Sequence, residues 1–224
     1  LRGPYWGTFD LYLDDHKLRT VDSHADSLSL GVERVDVPDA PHRLTVHATA
    51  RRKRVRLFGA TLERGGPSFV IDSFGVGAMN TASQGREDPR INRQMLAHRG
   101  YDLVIFATGA NDVFTLDVTP GHLKNIIAYH REALPETPIL ILTPSDRGKE
   151  RTFAPTLQAV EQRRVLAEEN QCSLWDQFSA MGGPNAMKRL KQRGLLLYDY
   201  IHLNEAGGRY LGERLLYALL SEVR

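Results

Sequence analysis

Residues 101–112, YDLVIFATGAND, decide the reading of this chain. An almost unbroken apolar run, stopped by a glycine turn, is the pattern of a strand buried on both faces, as in parallel sheets. A second run of this kind is residues 138–143 (PILILT), and a shorter one ends at Trp175. Helical periodicity separates them, over residues 122–133 and 155–170, and an amphipathic span from Glu205 to Val223 closes the chain. Residues 68–72 read as a further strand and residues 90–99 as a further helix. Strand and helix alternate, so residues 66–224 are expected to form an α/β domain with helices around a parallel sheet.

Upstream of Gly65-Gly66-Pro67 the pattern changes. Phe9, Leu11 and Leu13 alternate with polar residues, as do Leu44, Val46 and Ala48, and Val55 and Leu57 follow a basic turn. Strand-like pieces recur between breaks rich in Asp, Gly and Pro, and no helical pattern intervenes. Residues 1–65 are therefore expected to hold about five short antiparallel strands, part of a β-sandwich or jelly roll. Five strands are few for such a sandwich, so partner strands are expected elsewhere.

Composition narrows the function. The 224 residues are 42% hydrophobic and 25% charged, with 19 Gly and 11 Pro, which excludes a disordered or collagen-like chain. The apolar runs are too short to span a bilayer. A single cysteine, Cys172, excludes an intrachain disulfide framework and a cysteine-rich metal site. A net charge of +2 makes no general case for nucleic acid as a partner. The histidines, among them His98, His122 and His130, lack metal-binding spacing, and no zinc or calcium motif is present.

Three polar clusters fall where strands of the parallel sheet should end, or just before the last helix. The first is residues 72–80 (DSFGVGAMN), where Gly77 can present a bare backbone N–H. The second is Gly109-Ala110-Asn111-Asp112, where Gly109 permits a sharp turn and the Asn111 amide can donate to a developing oxyanion. The third is Asp199-Tyr200-Ile201-His202, in which a carboxylate can fix the tautomer of an imidazole and stabilise its cation. Each also fits a plainer role. Asp199 can cap the last helix, Asn111 can make a simple Asx turn, and Gly77 can belong to a flexible loop.

Taken in this order, the clusters resemble the signature blocks of the SGNH (GDSL-type) hydrolases. The resemblance covers about residues 66–224 and implies that Gly77 and Asn111 form an oxyanion hole while Asp199 and His202 supply orienter and base. It looks closest to bacterial carbohydrate and peptidoglycan O-acetylesterases that carry an inserted β-sandwich module. Residues 55–59 (VRLFG), Trp175-Asp176, Met181-Gly182-Gly183 and residues 202–207 (HLNEAG) are similar to that subgroup. By that resemblance the substrate is an O-acetylated carbohydrate, no cofactor or metal is needed, and the protein is secreted or held in the cell envelope.

One block is missing. The family carries its nucleophile in a Gly-Asp-Ser block on the first strand, and these residues contain none. The best mimic is Ile71-Asp72-Ser73. Using Ser73 would leave too little chain before Asn111 for the intervening helices and strand, and would merge two blocks into one loop. The chain also opens on Leu1 with no signal-peptide pattern. The expectation is that the serine strand lies on an N-terminal fragment of the same polypeptide, without which hydrophobic edges would be exposed. The alternative is a carbohydrate-binding protein that kept the fold and lost its serine. The basic run from Arg51 to Arg56 reads as a solvated hairpin tip, or else as a contact for an anionic polymer. Tyr5 and Trp6 read as core aromatics or as stacking groups for sugars.

Overall fold

Phe9 and Leu11 are buried on strand β1 (Thr8–Leu13), which pairs antiparallel with β2 (His16–Asp22). The Asp14-Asp15 turn between them has positive φ at both residues, 49° and 67°, as a tight primed hairpin turn requires. Strand β3 (Leu44–Ala48) pairs antiparallel with the other edge of β1, giving the order β2-β1-β3. The structure, a computed structural model, describes residues 1–50, 52–66 and 68–221. It divides into two units: Leu1–Phe74 with Arg90–His98, and Gly75–Pro89 with the chain from Arg99 onward.

The first unit corrects the strand count. Among the described residues it holds three strands in one sheet rather than about five. Residues 55–57 and 68–72 lie in no strand, and Arg54 makes only an isolated bridge to Trp6. Apolar side chains favour a strand only where a neighbouring strand completes the hydrogen-bond ladder and a face is covered. Neither holds at 68–72, where Phe69 is 88% and Ile71 78% exposed. The unit also contains all but the end residues of helix α2 (Pro89–Arg99), whose Gln94 Oε1 accepts from the Leu30 N–H at 2.7 Å.

The second unit is α/β. Strands β4 (Val104–Phe106), β5 (Ile139–Leu142) and β6 (Ser173–Trp175) run parallel in that order, with Val104 opposite Ile139 and Leu140 opposite Ser173. All four residues of β5 are buried, as a central parallel strand requires. The run at 101–108 contributes only three strand residues. Among the described residues it lies at the sheet edge with one neighbour, and Ile105 stays 39% exposed.

Helix α3 (Thr119–Ala133) connects β4 to β5 and buries Leu123, Ile126, Ile127 and His130 along one face. Helix α4 (Ala154–Glu169) connects β5 to β6 and buries Ala159, Val160, Arg163, Leu166 and Ala167 at the same kind of spacing. Three short helices had no counterpart in the hydrophobic pattern: α1 (Thr81–Gln84), α5 (Gln177–Ala180) and α6 (Ala186–Gln192). The last helix, α7 (Glu205–Ser221), begins where expected, while Val223 lies outside the described residues. Met181, Met187, Leu190, Leu196 and Leu211 form a small core under α6 and α7. No described helix is long and apolar enough to cross a membrane.

Candidate active site

Between α6 and α7 the chain folds back on itself. Leu196 and Leu203 form an antiparallel bridge, and the Leu197 N–H donates to the His202 carbonyl at 2.9 Å. The tip of this loop carries Asp199, Tyr200, Ile201 and His202. Asp199 Oδ2 lies 2.6 Å from His202 Nδ1, while Oδ1 accepts from the backbone N–H groups of Ile201 and His202, each at 3.0 Å. Tyr200 takes a left-handed conformation, φ 57°, which lets the turn close over the carboxylate. These bonds, led by the one to His202, hold the Asp199 carboxyl far below the usual carboxylate range.

The capping role open to Asp199 belongs to another residue. Asn204 precedes α7, and its Oδ1 accepts from the Gly207 N–H at 3.0 Å, an N-cap. Asp199 is thereby left to the imidazole and its own turn. The His202 side chain is 69% exposed and that of Asp199 28%, so the carboxylate sits behind a ring that reaches solvent. With Nδ1–H donating to Asp199, Nε2 is left as the basic nitrogen.

The second cluster sits at the end of β4. Gly109 has φ 136° and faces the Pro144 side chain at 3.2 Å from where a Cβ would stand, so the turn favours glycine there. Asn111 does not make the simple Asx turn. Its Nδ2 donates to the Met79 carbonyl at 3.2 Å, which ties this turn to the loop that carries Gly77. An amide nitrogen has two hydrogens, so one N–H remains to meet a ligand. In the Gly77 loop, the Met79 N–H donates to the Val76 carbonyl at 3.2 Å and Ala78 has φ 60°. Gly77 itself is exposed, with nothing within 4 Å of a Cβ placed on it. Its missing side chain therefore leaves open space beside the backbone.

Beneath both loops lies a buried ion pair that the hydrophobic pattern did not single out. Asp112 Oδ1 accepts from the Thr81 N–H and Oδ2 from the Thr81 hydroxyl, both at 2.8 Å. Arg163, from α4, donates through Nη2 to Asp112 Oδ2 at 2.5 Å, to Thr81 Oγ1 at 2.7 Å and to Thr108 Oγ1 at 3.0 Å. The signal in the sequence was an arginine on the apolar face of a helix, flanked by Val160 and Leu166.

The structure thus joins Asp199 with His202, and Asn111 with the Gly77 loop. Ser73 is exposed and belongs to the first unit. His130 is a buried packing residue whose Nδ1 lies 2.8 Å from the Ile126 carbonyl and whose pKa burial lowers. Trp6 lies beneath the Arg56 guanidinium at 5.2 Å and crowds against Gly3, so its ring is engaged in packing. Arg51 lies outside the described residues; Arg52, Lys53, Arg54 and Arg56 do not form the tip of a β-hairpin. Among the described residues no group of three or more His, Cys, Asp or Glu side chains is arranged to hold a metal.

Residues 26–210 match the model of the GDSL-like lipase/acylhydrolase family. The fold is similar to that of a peptidoglycan O-acetylesterase, with a TM-score of 0.55 and 27% identity over 58% of this chain; the match spans 40% of that enzyme's length. It is also similar to the acetyl xylan esterase AlAXEase, with a TM-score of 0.51 and 21% identity, covering 64% of this chain and 78% of that one. No curated protein sequence matches.

Proposed function

Because the chain belongs to the GDSL-like lipase/acylhydrolase family, within the SGNH hydrolase superfamily, we propose that it carries the base and oxyanion donors of a serine esterase that removes O-acetyl groups from a carbohydrate polymer. The observation that carries this reading is the 2.6 Å contact of His202 Nδ1 with Asp199 Oδ2, in a turn that leaves Nε2 free at the surface.

In the proposed reaction a serine hydroxyl attacks the acetyl carbonyl while His202 Nε2 takes its proton. Asp199 stabilises the imidazolium that forms and keeps the ring in register. The Gly77 N–H and the Asn111 Nδ2–H donate to the tetrahedral oxyanion, each worth on the order of 3 kcal/mol of barrier. His202 then protonates the departing sugar oxygen. Water, activated by the same nitrogen, releases acetate from the acyl-serine. No metal or organic cofactor has a role in this sequence of steps.

The nucleophile is proposed to lie on a serine strand outside residues 1–224, since these hold no Gly-Asp-Ser. An N-terminal segment of the same polypeptide would bring that strand, further β-sandwich strands to join residues 1–65, and an export signal. The likeness to a peptidoglycan O-acetylesterase supports an acetylated cell-envelope polymer as substrate.

The test is acetate release from O-acetylated peptidoglycan and acetylxylan by the full-length polypeptide, with fluorophosphonate labelling and peptide mapping. His202→Ala is expected to abolish release while the protein stays folded; retained turnover overturns the assignment. A label on a serine outside residues 1–224 supports the reading. A label on Ser73 makes this chain self-sufficient. No label and no release favour the binding protein.

A further inference from the structure

The loop after β5 touches both halves of the candidate site. Arg147 Nη1 donates to the Ala110 carbonyl at 3.0 Å, and its guanidinium carbon lies 5.1 Å from the centre of the Phe114 ring. Ala110 precedes Asn111 and Phe114 ends the single 3-10 turn that follows it, so one side chain contacts the chain on both sides of Asn111. The next residue reaches the other half: the Gly148 N–H points to the Tyr200 carbonyl at 3.4 Å, inside the turn that holds Asp199 and His202.

We propose that Arg147 and Gly148 tie the oxyanion donor to the base, with Arg147 acting as a positioning residue for Asn111. The proposal rests on the reading of Asn111 and His202 given above. The Ala110 carbonyl belongs to the peptide unit whose nitrogen is that of Asn111. A guanidinium bonded to it sets the plane of that peptide and hence the direction from which the Asn111 side chain starts. Charge-assisted bonds of this kind hold geometry more firmly than neutral ones.

The tie is itself braced. Gly148 has φ 129°, and a Cβ there would stand 2.2 Å from the Arg151 carbonyl oxygen, so only glycine fits. The Phe153 N–H donates to the Arg147 carbonyl at 2.8 Å, closing the loop on itself. Thr152 and Asn185 exchange bonds at 3.0 and 2.7 Å, and the buried Asp146 accepts from the Met187 N–H at 3.1 Å. Both ends of the loop are thereby anchored on the start of α6. A rigid strap of this kind transmits position, which matters because misplacement by about 1 Å can cost on the order of 100-fold in rate.

The experiment compares wild type, Arg147→Met, Arg147→Lys, Asn111→Ala and the Arg147→Met/Asn111→Ala pair in the full-length polypeptide. Arg147→Met should lower kcat about 10-fold or more and leave KM within about twofold. Arg147→Lys, which keeps the charge but not the planar fork, should recover part of that loss. The double variant should be no slower than Asn111→Ala alone, because Arg147 acts through Asn111. An unchanged kcat, or losses that multiply, overturns the proposal. Selective 15N labelling of asparagine supplies a readout independent of turnover. The Asn111 side-chain amide pair should shift in Arg147→Met, and an unshifted pair overturns the tie. If wild type releases no acyl group, the esterase reading fails, and this spectrum alone decides the tie.

Discussion

Arg163 and Asp112 form an ion pair of 2.5 Å with side chains only 1% and 2% exposed, directly beneath the turn that presents Asn111. The pair joins α4 to both α1 and the end of β4, through the hydroxyls of Thr81 and Thr108. Its effect is to tie the start of α1 to the turn after β4.

Removing one partner should be costly. Arg163→Met leaves a buried carboxylate and should destabilise the protein by about 3–5 kcal/mol in urea unfolding. Replacing both, as Arg163→Met with Asp112→Asn, should recover much of that loss, since no charge is then left buried and an amide oxygen can still accept from the Thr81 N–H. Stability would return while Asn111 lost its support, so acyl transfer should stay impaired.

Glycine substitutions in α7 should split by position. Exchanging glycine for alanine in a helix interior ordinarily gains up to about 1 kcal/mol. Gly212→Ala should follow that rule, because nothing lies within 4 Å of its would-be Cβ. At Gly207 the Cβ would stand 2.0 Å from the Leu195 carbonyl oxygen, so Gly207→Ala should lower the melting temperature instead. That displacement would also disturb the neighbouring His202 turn.

Asp199 should not titrate in the ordinary carboxylate range. Its folded pKa is lowered, so its contribution to the turn is present above the usual value of about 4 and is lost only as pH falls well below it. A 13C titration of the Asp199 carboxyl should stay flat from about pH 7 down to about pH 3. Asp199→Asn should lower kcat by as much as about 10⁴-fold.

A second imidazole offers a pH test in the first unit. His42 Nδ1 lies 2.7 Å from Asp14 Oδ2 and Nε2 lies 2.8 Å from the Pro38 carbonyl, so both nitrogens face acceptors. The ring satisfies both only as the imidazolium, and the bond to Asp14 leads the rise in its pKa. Its contribution is present below about pH 6.5 and is lost as pH rises through the raised value. Asp14, lowered chiefly by the Arg43 N–H, adds a contribution lost only as pH falls through its depressed value. A 15N titration should place His42 above the ordinary histidine value. Exchange of the Arg43 amide should accelerate above that pKa, and His42→Gln should remove the step.

Much of the α/β half was legible because its signals are local. Residues 138–143 are apolar without interruption, and the matching β5 is buried throughout. The periodicity at 122–133 and 155–170 found α3 and α4 to within a few residues at either end. Asp199 and His202 were also legible as a pair, since three residues of spacing in a turn need no distant partner. The segment at 68–72 misled for the opposite reason: it has a strand's composition without a strand's neighbour.

The sequence by itself determined which segments could be strand or helix, where the turns fall, and that a carboxylate and an imidazole stand within reach of each other. Those are matters of periodicity and short-range geometry. Only the tertiary structure decided that Asn111 bonds to Met79, that Arg163 is the buried partner of Asp112, and that Arg147 and Gly148 reach both turns. These contacts join residues 32, 51 and 37 positions apart along the chain in the case of the side-chain bonds. Their geometry depends on how the helices pack against the sheet, and no local pattern specifies that.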